Sequence, residues 1–599
     1  MDLAQQGRYR DALALCQAEL EASPDQPDLL HAAALCHLRE RNPALAESLL
    51  RRAIAADGSQ AHFHNTLGNV LRDTGRSSDA ISEYQAAMHL APGYYDPHYN
   101  LGVLHRRAGQ LQPAVTHLLK ALELRRTVQA LNALGLAYQD MERFPESVLA
   151  FQEALKVNPG YTDALHNLGV TFNRFVRPES SVTCFDEVIA RNPGLPQAYY
   201  NRGNAHQLLG NFTDAIADYE SAIRLSPFMV EAHVDLNKLL WILGNKDQCL
   251  SSFRAIIGKT GTPPSLELAY INALLQAGEL DAATTAAETA LRGQPDSAPL
   301  LLLLSTIHTE AGKHEAAARA SAAALGRANS SSDCLIKHAR DLIMTGHPDL
   351  ALTHLLRALE MDPDDQLTWA CIGVCWEQLG DPRYGALCNY DEFVQEYELK
   401  PAAAYKDMQE CNQVLIQVLN EAHNTRAHPP DQTLRNGTQT IGSLFKRDIP
   451  VIHELVRSLD QAIALYIDHL ATLDIPLQGF EHPLLRRINK QFRYAGSWSV
   501  RLAPGGFHIN HVHSRGWVSS AYYVSLPESP PGGIDANPGD ITFGQTELLG
   551  PQAQPKRIIR PKPGRLVLFP SYFWHGTIPF TTGPFRMTVA FDVVPATDR

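Results

Sequence analysis

A group of histidines near the C-terminus is the part of this sequence best suited to metal chemistry. Three histidines stand in the segment GGFHINHVHSRGW, and two of them, His511 and His513, are separated by one residue. If this segment is a strand, both imidazoles point to the same face, because side chains alternate with a period of two. A third ligand has to come from elsewhere, and His575 in FPSYFWHGTIPF lies at a predicted strand-to-loop junction. The spacing therefore predicts a metal site with imidazole ligands.

An arginine follows the third histidine on the last predicted strand. Arg586 stands eleven residues after His575, and Thr588 is its neighbour on the same strand face. A guanidinium beside a hydroxyl can bind a carboxylate through a bidentate pair and one further hydrogen bond. Three facial ligands leave the other metal positions open for a chelating cosubstrate and dioxygen, as in non-haem iron oxygenases.

Two other residues near the cluster have weaker claims to the site. His508 does not share the spacing of the His511 and His513 pair, so we expect it to line a pocket or the surface. Asp540, just before the predicted strand GDITFG, is a candidate for a carboxylate ligand in addition to the imidazoles. A lone histidine in a strand is usually a hydrogen-bonded core or surface residue. The order of the whole set is what favours a site.

Short strands are predicted to position these side chains. The candidate strands are rich in β-branched and aromatic residues and are separated by Gly and Pro. They are FRYAGSWSVRLA, WVSSAYYVSLP, GDITFG, KRIIRPK, GRLVLFPS and FRMTVAFDVVP. An apolar periodic stretch from Ile449 to Leu473 precedes them and predicts a long helix. Several short strands after one helix favour a β-sandwich or jelly roll.

Roughly residues 431–599 resemble the iron(II)- and 2-oxoglutarate-dependent oxygenases of double-stranded β-helix fold. The resemblance rests on short motifs in a fixed order. They are Gly437–Thr440, Trp498–Val500, the pair His511 and His513, Tyr522–Val524, and Leu568–Ser571 with His575.

The resemblance implies a role for each candidate residue. His511 and His575 would bind Fe(II), while Arg586 and Thr588 would hold the distal carboxylate of 2-oxoglutarate. The cosubstrate and dioxygen would yield succinate, carbon dioxide and a hydroxylated product. Either Tyr522 or Tyr523 would add a hydroxyl to that pocket, since neighbours in a strand face opposite sides.

One position departs from the family pattern. Most such oxygenases have Asp or Glu where this chain has His513. We predict His513 as the third ligand, and a role in supporting the ligands remains the alternative. The departure also keeps two other hypotheses open, a catalytically silent domain and a three-histidine dioxygenase that does not use 2-oxoglutarate.

The first two thirds of the chain repeat with a period of 34 residues. Small residues or their substitutes recur at this step, with the third one residue short. They are Gly68, Gly102, Gly135, Gly169, Gly203, Asn237, Ile271, Ser305, Ala339 and Gly373. A second glycine follows most of them after seven residues, which predicts a helix end in a left-handed turn. This pattern resembles the tetratricopeptide repeat, and we predict one full two-helix unit for each position.

Such an array implies a superhelix with an inner groove lined by the first helix of each pair. Asparagines recur on that helix at two positions, close to the small residue. They are Asn100, Asn167 and Asn201 at one position, and Asn69 and Asn204 at the other. Amides in a row can hold an extended peptide by its backbone, so we predict a protein or peptide partner. A purely structural role is the alternative.

Composition excludes several classes of protein. Residues from Asp431 onward carry 17 Lys+Arg and 13 Asp+Glu, against 35 and 51 before it. The acidic first part argues against nucleic acid as a partner. Nine cysteines are too few for a disulfide scaffold, and no stretch has the length of a membrane helix. Because the start MDLAQQGRYR lacks an apolar signal core, we expect a cytoplasmic protein without a membrane partner.

The sequence thus predicts a multidomain chain, an all-α tetratricopeptide superhelix followed by a mainly-β double-stranded β-helix. We place the repeats at 1–400, a linker with a connecting helix at 401–440, and the oxygenase-like domain at 441–599. The predicted function is an Fe(II)- and 2-oxoglutarate-dependent dioxygenase that hydroxylates a protein or peptide recruited by the repeats. The alternative is a scaffold or adaptor with a silent jelly roll.

Overall fold

The structure is a computed structural model that describes residues 9–328, 331–401, 403–527, 537–581 and 583–596. The chain divides into two compact units, Met1–Pro193 and Gly194–Arg599. The first unit is helical, and the second joins further helices to antiparallel β-sheets.

The first unit consists of packed helix pairs. Its described helices are α1 Tyr9–Ala22, α2 Pro27–Arg39, α3 Pro43–Ala56, α4 Ala61–Asp73, α5 Ser77–Leu90, α6 Tyr95–Arg107, α7 Leu111–Leu124, α8 Val128–Asp140, α9 Phe144–Val157, α10 Thr162–Arg174 and α11 Pro178–Arg191. The even-numbered helices carry the small residues of the repeat, and the odd-numbered helices follow them as partners.

Each helix pair approaches most closely at the small residue of the repeat. A Cβ added to Gly135 would lie 2.6 Å from Phe151 Cε1, a distance that real contacts do not reach. The same sixteen-residue spacing joins Gly68 to Tyr84, Gly102 to Leu118, Gly169 to Phe185 and Gly203 to Tyr219. The predicted close approach of the two helices is therefore confirmed, and it buries one large side chain per pair.

A left-handed residue ends the first helix of each pair, seven positions after the small residue. The predicted second glycines all have positive φ, namely Gly75, Gly109, Gly210, Gly244, Gly278, Gly312, Gly346 and Gly380. Three repeats without this glycine place Arg41, Glu142 and Val176 in the same conformation, with φ of 61°, 57° and 56°. The geometry of the repeat thus imposes the left-handed turn even where the residue resists it.

Replacing Val176 with Gly should stabilise the first unit. A β-branched residue in the left-handed region costs roughly 1–2 kcal/mol, which Gly avoids. Part of the gain is lost to the greater freedom of Gly in the unfolded chain, so we expect a net increase of roughly 0.5–1 kcal/mol. Thermal unfolding followed by circular dichroism measures it. The control is Val157→Gly at the exposed end of α9, where Gly should lower the midpoint; a fall in both variants would contradict the strain argument.

The second unit continues the repeats. Its helices are α12 Pro196–Leu209, α13 Phe212–Leu225, α14 Val230–Ile242, α15 Ser251–Arg254, α16 Pro264–Gln276, α17 Leu280–Gly293, α18 Ala298–Glu310, α19 His314–Arg327, α20 Ser332–Met344, α21 Pro348–Met361, α22 Gln366–Leu379, α23 Arg383–Leu387, α24 Tyr390–Phe393, α25 Met408–Ala422 and α26 Pro450–Leu470. In the described part of the chain, every helix falls short of the length and apolar character that crossing a membrane would require.

Two of the predicted full repeat units are incomplete. After α14 the partner helix is reduced to a 3-10 turn at Lys246–Gln248 and the four-residue α15, and Gly258 and Gly261 follow with positive φ. After α22 the short helices α23 and α24 lead directly into a strand. The prediction of ten full units is therefore wrong at its sixth and last positions.

The C-terminal part of the second unit forms two antiparallel sheets. The strands are β1 Gln395–Glu398, β2 Leu434–Gln439, β3 Phe492–His508, β4 Val518–Ser525, β5 Ile541–Phe543, β6 Arg557–Ile559, β7 Arg565–Pro570, β8 His575–Thr577 and β9 Arg586–Pro595. The larger sheet has the order β1-β7-β4-β9-β3-β2, and the smaller has the order β6-β5-β8. The mainly-β jelly-roll prediction is confirmed.

Two strands lie outside the predicted domain boundaries. β1 falls within the segment assigned to the repeats, and it pairs with β7 from Gln395↔Leu568 to Glu398↔Arg565. The Arg565 guanidinium pairs with Glu396 (2.5 Å) and Glu398 (2.9 Å), which fixes this edge of the sheet. β2 falls within the segment assigned to a linker and pairs with β3. The linker prediction is therefore wrong for 434–439.

The two helices predicted around the sheets are present. α25 is the connecting helix, and its Asn412 Oδ1 accepts a hydrogen bond from the Tyr522 hydroxyl of β4 at 2.6 Å. α26 occupies most of the predicted stretch, starts with Pro450 in its first turn and buries one apolar face. α26 also contacts the larger sheet, since its Asp460 accepts a hydrogen bond from the Tyr494 hydroxyl of β3 at 2.6 Å.

The segment between α25 and β2 runs along a repeat helix. The carbonyl of Ile242 at the end of α14 accepts the backbone N–H groups of Arg426 (2.8 Å) and Ala427 (3.0 Å). The Trp241 indole N–H donates to the His428 carbonyl at 3.1 Å. Residues 424–431, called the connector below, are thus held on α14 by backbone and side-chain hydrogen bonds.

Candidate metal centre

Three of the predicted site residues converge on one point. The ligand atoms of His511, His513 and His575 all lie within 4.8 Å of one another. His511 Nε2 and His513 Nε2 are 3.2 Å apart. Within the described residues, this is the group of His, Cys, Asp and Glu side chains with the geometry to hold a metal ion.

The backbone around the cluster differs from the predicted strand. His511 and His513 lie in an extended segment after the end of β3 and before β4. His511 exchanges two backbone hydrogen bonds with His575 in β8, at 2.9 and 3.0 Å, and the His513 N–H donates to the Ser571 carbonyl at 3.0 Å. The segment is therefore a local bridge instead of a continuous strand, but it still directs both imidazoles to the same place.

Hydrogen bonds at Nδ1 fix the orientation of two of the rings. The carbonyl of Ile509 lies 2.8 Å from His511 Nδ1, and the carbonyl of Phe573 lies 2.9 Å from His575 Nδ1. Because a carbonyl only accepts, Nδ1 carries the proton in both rings. Nε2 therefore presents its lone pair to the common point, which is the tautomer that a metal ligand needs.

His513 is held by a carboxylate that the sequence interpretation missed. Asp592 Oδ1 lies 2.6 Å from His513 Nδ1 and accepts a second hydrogen bond from the Ser519 hydroxyl at 2.7 Å. Asp592 lies on β9, six residues after Arg586 and therefore on the same strand face. The alternation along this strand could have indicated it.

The electrostatics differ among the three histidines. Burial and the charge of His513 lower the pKa of His511 to about 3. Burial, together with the other two imidazoles, also holds the pKa of His575 well below its ordinary value. Burial disfavours the charged form of His513, but the Asp592 carboxylate outweighs it and raises the pKa of that ring. His511 and His575 are therefore neutral at physiological pH, as ligands must be.

Replacing Asp592 with Asn should weaken metal binding about 10- to 100-fold. The carboxylate orients His513 and raises the basicity of the ring, and loss of such partners has this effect at other metal sites. Isothermal titration with Mn²⁺ or Co²⁺ under anaerobic conditions measures the affinity. Asp460→Asn is the matched control, because Asp460 lies on α26 and accepts a hydrogen bond from the Tyr494 hydroxyl of β3, away from the cluster. Equal affinities for both variants would exclude the supporting role of Asp592.

Arg586 and Thr588 line the same pocket as the three histidines. Both are buried, with 3% and 8% of their surface exposed. Arg586 Nη1 donates to the Gly539 carbonyl at 2.6 Å, whereas its Nε has no hydrogen-bond partner in the described residues. Burial lowers the pKa of this guanidinium, and the nearby Tyr523 and Asp540 oppose that effect. A buried guanidinium with a free N–H is suited to an anionic ligand.

The two candidate tyrosines face opposite sides of β4. Tyr523 points towards Arg586, whose guanidinium carbon lies 5.2 Å from the ring centre. Its buried hydroxyl has no partner among the described residues. Tyr522 instead donates to Asn412 on α25 and lies away from the pocket. The structure thus brings Tyr523 into the site and leaves Tyr522 out of it.

Asp540 and His508 lie beside the cluster and outside the ligand group. Asp540 Oδ2 accepts the Asn537 N–H at 2.9 Å, and its other oxygen is 3.8 Å from Arg560 Nε. It therefore does not replace a ligand. His508 lines the pocket, and its ring centre lies 5.8 Å from that of His511. Its predicted position in a pocket agrees with the structure.

The asparagines of the predicted peptide groove have partners within the protein. In the first unit, Asn100 Nδ2 donates to Asn65 (3.1 Å) and Asn167 Nδ2 donates to Asn132 (3.0 Å), each in the preceding repeat. At the second position, Tyr84 donates to Asn69 in the first unit and Tyr219 donates to Asn204 in the second. Asn201 lies at the Asn167 position on α12 and is half-buried. These bonds favour a structural role for the bonded amides, and peptide binding stays a prediction.

Family models match the repeat helices and the β-sheets separately. Residues 496–592 match the family described as "Putative 2OG-Fe(II) oxygenase". Several tetratricopeptide repeat families match residues 3–70, 65–127, 127–158, 196–229 and 268–333. The first match contains all three histidines, Arg586 and Asp592.

Individual similar proteins cover the repeats. A cell division cycle protein 27 homolog from Caenorhabditis elegans is 29% identical over 118 residues, which is 20% of this chain. The chain spans 15% of the length of that curated relative. The solved structure of YrrB, a TPR protein with an unusual peptide-binding site, is 21% identical and covers 31% of this chain and 95% of its own, with a TM-score of 0.28. A tetratricopeptide repeat protein from Parabacteroides merdae is 18% identical and covers 41% of this chain and 98% of its own, with a TM-score of 0.33.

The repeat matches and the oxygenase match fall on the helical array and on the β-sheets that hold the three histidines. The chain therefore carries regions that match tetratricopeptide repeat families, followed by a region, residues 496–592, that matches the family described as "Putative 2OG-Fe(II) oxygenase".

Proposed function

We propose that this protein is an Fe(II)- and 2-oxoglutarate-dependent dioxygenase that hydroxylates a protein or peptide. The observation that carries the proposal is the convergence of three imidazoles in one buried pocket with a partly unpaired guanidinium. Metal ligands alone would fit many functions. The buried cation selects a cosubstrate that carries a carboxylate.

The residues present fit both groups that this function requires. His511, His513 and His575 would hold Fe(II) through Nε2, since Nδ1 of each ring is occupied by an oxygen acceptor. Arg586 and Thr588 would bind the distal carboxylate of 2-oxoglutarate. The free Nε of the arginine supplies an unsatisfied donor. When bound, Fe(II) with 2-oxoglutarate and dioxygen supplies the oxidising chemistry of hydroxylation.

The surroundings of the pocket support this assignment. Tyr523 presents a buried hydroxyl without a partner beside the guanidinium, so it can donate to the same carboxylate. Most related oxygenases have a carboxylate at the position of His513. Here Asp592 contacts His513 and supplies a negative charge beside the proposed ligands. A carboxylate in that place also balances part of the charge of a divalent ion. The charge around the proposed centre is therefore closer to that of the usual ligand set of two histidines and a carboxylate.

The repeats of the second unit contribute to the entrance of the pocket. The cleft in front of His511 is lined by Glu310 of α18, Arg340 of α20 and Leu367 of α22, as well as by residues of the β-sheets. These are first helices of their repeats. Tetratricopeptide repeats generally mediate protein–protein interaction. A polypeptide substrate could therefore contact both the repeat helices and the β-sheet residues that line the cleft.

Formation of succinate tests the proposal. The full chain with Fe(II), ascorbate and 2-oxoglutarate should release succinate even without substrate. No succinate should form when 2-oxoglutarate is replaced by an analogue without the keto group. A chain that binds neither metal nor cosubstrate would instead be a scaffold with a silent jelly roll. Metal binding without any dependence on 2-oxoglutarate would favour the three-histidine dioxygenase, for which the all-imidazole ligand set is the supporting observation.

A further inference from the structure

A cleft leads outward from the candidate metal centre. It has a volume of about 750 Å³ and shares His508 and His511 with the inner pocket. One wall comes from the sheets, and the opposite wall comes from the repeat helices α18, α20 and α22. A substrate that reaches the centre through this cleft would therefore pass between the two parts of the second unit.

A second cavity adjoins this cleft. Its volume is about 920 Å³, and the two share Arg340, Leu367 and Ser514. Sites for small molecules usually have volumes of about 300–1,000 Å³, so the two spaces together exceed what one small metabolite needs. The space is better matched to an extended chain that lies across the metal site and continues beyond it.

The second cavity contains two arginines without carboxylate partners. Arg493 and Arg515 are exposed, and neither has an ion pair with any described residue. Arg515 follows His513 by two residues and lines the second cavity. Arg340 adds a guanidinium whose Nε is buried without a partner, while its Nη2 is 3.5 Å from Glu547. The cavity thus offers two guanidinium groups that have no ion-pair partner among the described residues.

None of the four carboxylates that line the same cavity forms an ion pair with Arg493 or Arg515. Asp364 pairs with Arg487 at 3.5 Å, and its backbone N–H donates to Asp362 at 3.0 Å. Asp365 caps the start of α22, and Asp333 lies in the first turn of α20. Negative charge is favourable at the start of a helix because free N–H groups point there. These groups therefore do not satisfy the two free arginines.

We infer that the cleft and the adjoining cavity bind an acidic polypeptide segment, with its carboxylates at Arg493 and Arg515. The inference rests on the proposed function, because it specifies the substrate of that site. The predicted recognition site was the row of asparagines in the repeats, whose amides are bonded internally. The inference instead assigns substrate recognition to helices α18, α20 and α22 and to the loop after His513. The chain carries a net charge of −12, which disfavours nucleic acid as the polyanion.

Binding of labelled model peptides tests this inference. The probes are fluorescein-labelled Gly-Glu, Gly-Gln and Gly-Lys repeats of about ten residues, with a thymidine oligonucleotide of similar length as a competitor. Fluorescence anisotropy with the full chain, without metal or 2-oxoglutarate, should show at least about tenfold tighter binding of the glutamate peptide than of the glutamine peptide. The preference should fall with rising salt, because the pairs are exposed.

Paired variants locate the binding. Arg493→Gln combined with Arg515→Gln should weaken glutamate-peptide binding at least about fivefold, and the double Glu variant should prefer the lysine peptide. Arg292→Gln, an exposed arginine on α17 outside both cavities, should bind like the unchanged protein. Both arginines are exposed, and circular dichroism verifies that the variants fold.

The outcomes separate this inference from the proposed function. Equal binding of the glutamate and glutamine peptides, unchanged binding in the double Gln variant, or tighter binding of the oligonucleotide would overturn the inference even if succinate forms. Selective binding lost in the variants, in a protein that forms no succinate, would support an acidic-peptide site and overturn the enzymatic proposal instead.

Discussion

Replacing His575 with Ala should reduce metal affinity at least about 100-fold and abolish succinate formation. In the proposed centre His575 would supply one of three nitrogen ligands, and Ala offers no atom that could replace it. Losing a ligand costs more than losing a supporting group, for which a decrease of 10- to 100-fold is usual. Metal affinity is measured by anaerobic titration with Co²⁺, whose visible spectrum reports the ligands, and succinate is measured by mass spectrometry.

A second histidine variant controls for indirect effects. His453→Ala changes a half-exposed residue on α26 that lies outside the cluster. It should retain both the metal affinity and the succinate formation of the unchanged protein. If His575→Ala binds Co²⁺ as tightly and with the same spectrum, the three-histidine centre is refuted.

Replacing Arg586 with Gln should lower the affinity for 2-oxoglutarate at least about 30-fold while metal affinity stays the same. The guanidinium is buried, so it would meet the cosubstrate carboxylate in a dry environment, where a charge-assisted hydrogen bond contributes about 1.5–3 kcal/mol. Lys at this position keeps the charge but loses the bidentate geometry, and we expect intermediate affinity. Titration of the metal-loaded protein with 2-oxoglutarate measures all three proteins.

The metal affinity of the same variants shows whether the pocket is intact. Arg501→Gln is a further control, because Arg501 lies over Phe585 outside the inner pocket. Unchanged 2-oxoglutarate affinity in Arg586→Gln would contradict the carboxylate role. Metal-dependent oxidation that survives this change would favour a dioxygenase of the three-histidine type.

The repeats were predictable because their signals are local. A small residue and a left-handed turn seven positions later are both required by the packing of two adjacent helices. The interaction of Gly135 with Phe151 recurs at the same spacing in the repeats that carry Gly68, Gly102, Gly169 and Gly203. The register persists even where Val176 replaces the glycine. The prediction of a second helix was wrong at the sixth unit. There Asn237 Oδ1 accepts the Leu250 N–H, and the second helix is not completed.

The convergence of the three histidines was predictable for a different reason. Their order along the chain, with a His-x-His segment, a distant histidine and an Arg-x-Thr strand, is retained although His511 and His513 are not in a strand. Asp592 was missed because its role depends on the pairing of β9 with β4, which brings it to Ser519. Such a contact arises only when distant strands are placed side by side.

The edge strands β1 and β2 were missed because they look like loops in sequence. β2 includes Asn436 with a φ of 53° and a bulge before Gly437, whose Cβ would lie 2.7 Å from the Arg501 carbonyl. Glycine and asparagine usually indicate turns, but here they allow close approach to β3. β1 has only four residues, and it is stabilised by charges on β7 that are about 170 positions away.

The connector on α14 determines how this protein can be divided. A truncation near residue 400, where the 34-residue rhythm fades, would remove the acceptor of the Trp241 indole and the partner of Lys238, Asp431 at 2.7 Å. It would also bare the apolar surface that Ile441 covers. Expression of the jelly roll should therefore begin near Gly194, so that it is produced together with the later repeats of the second unit.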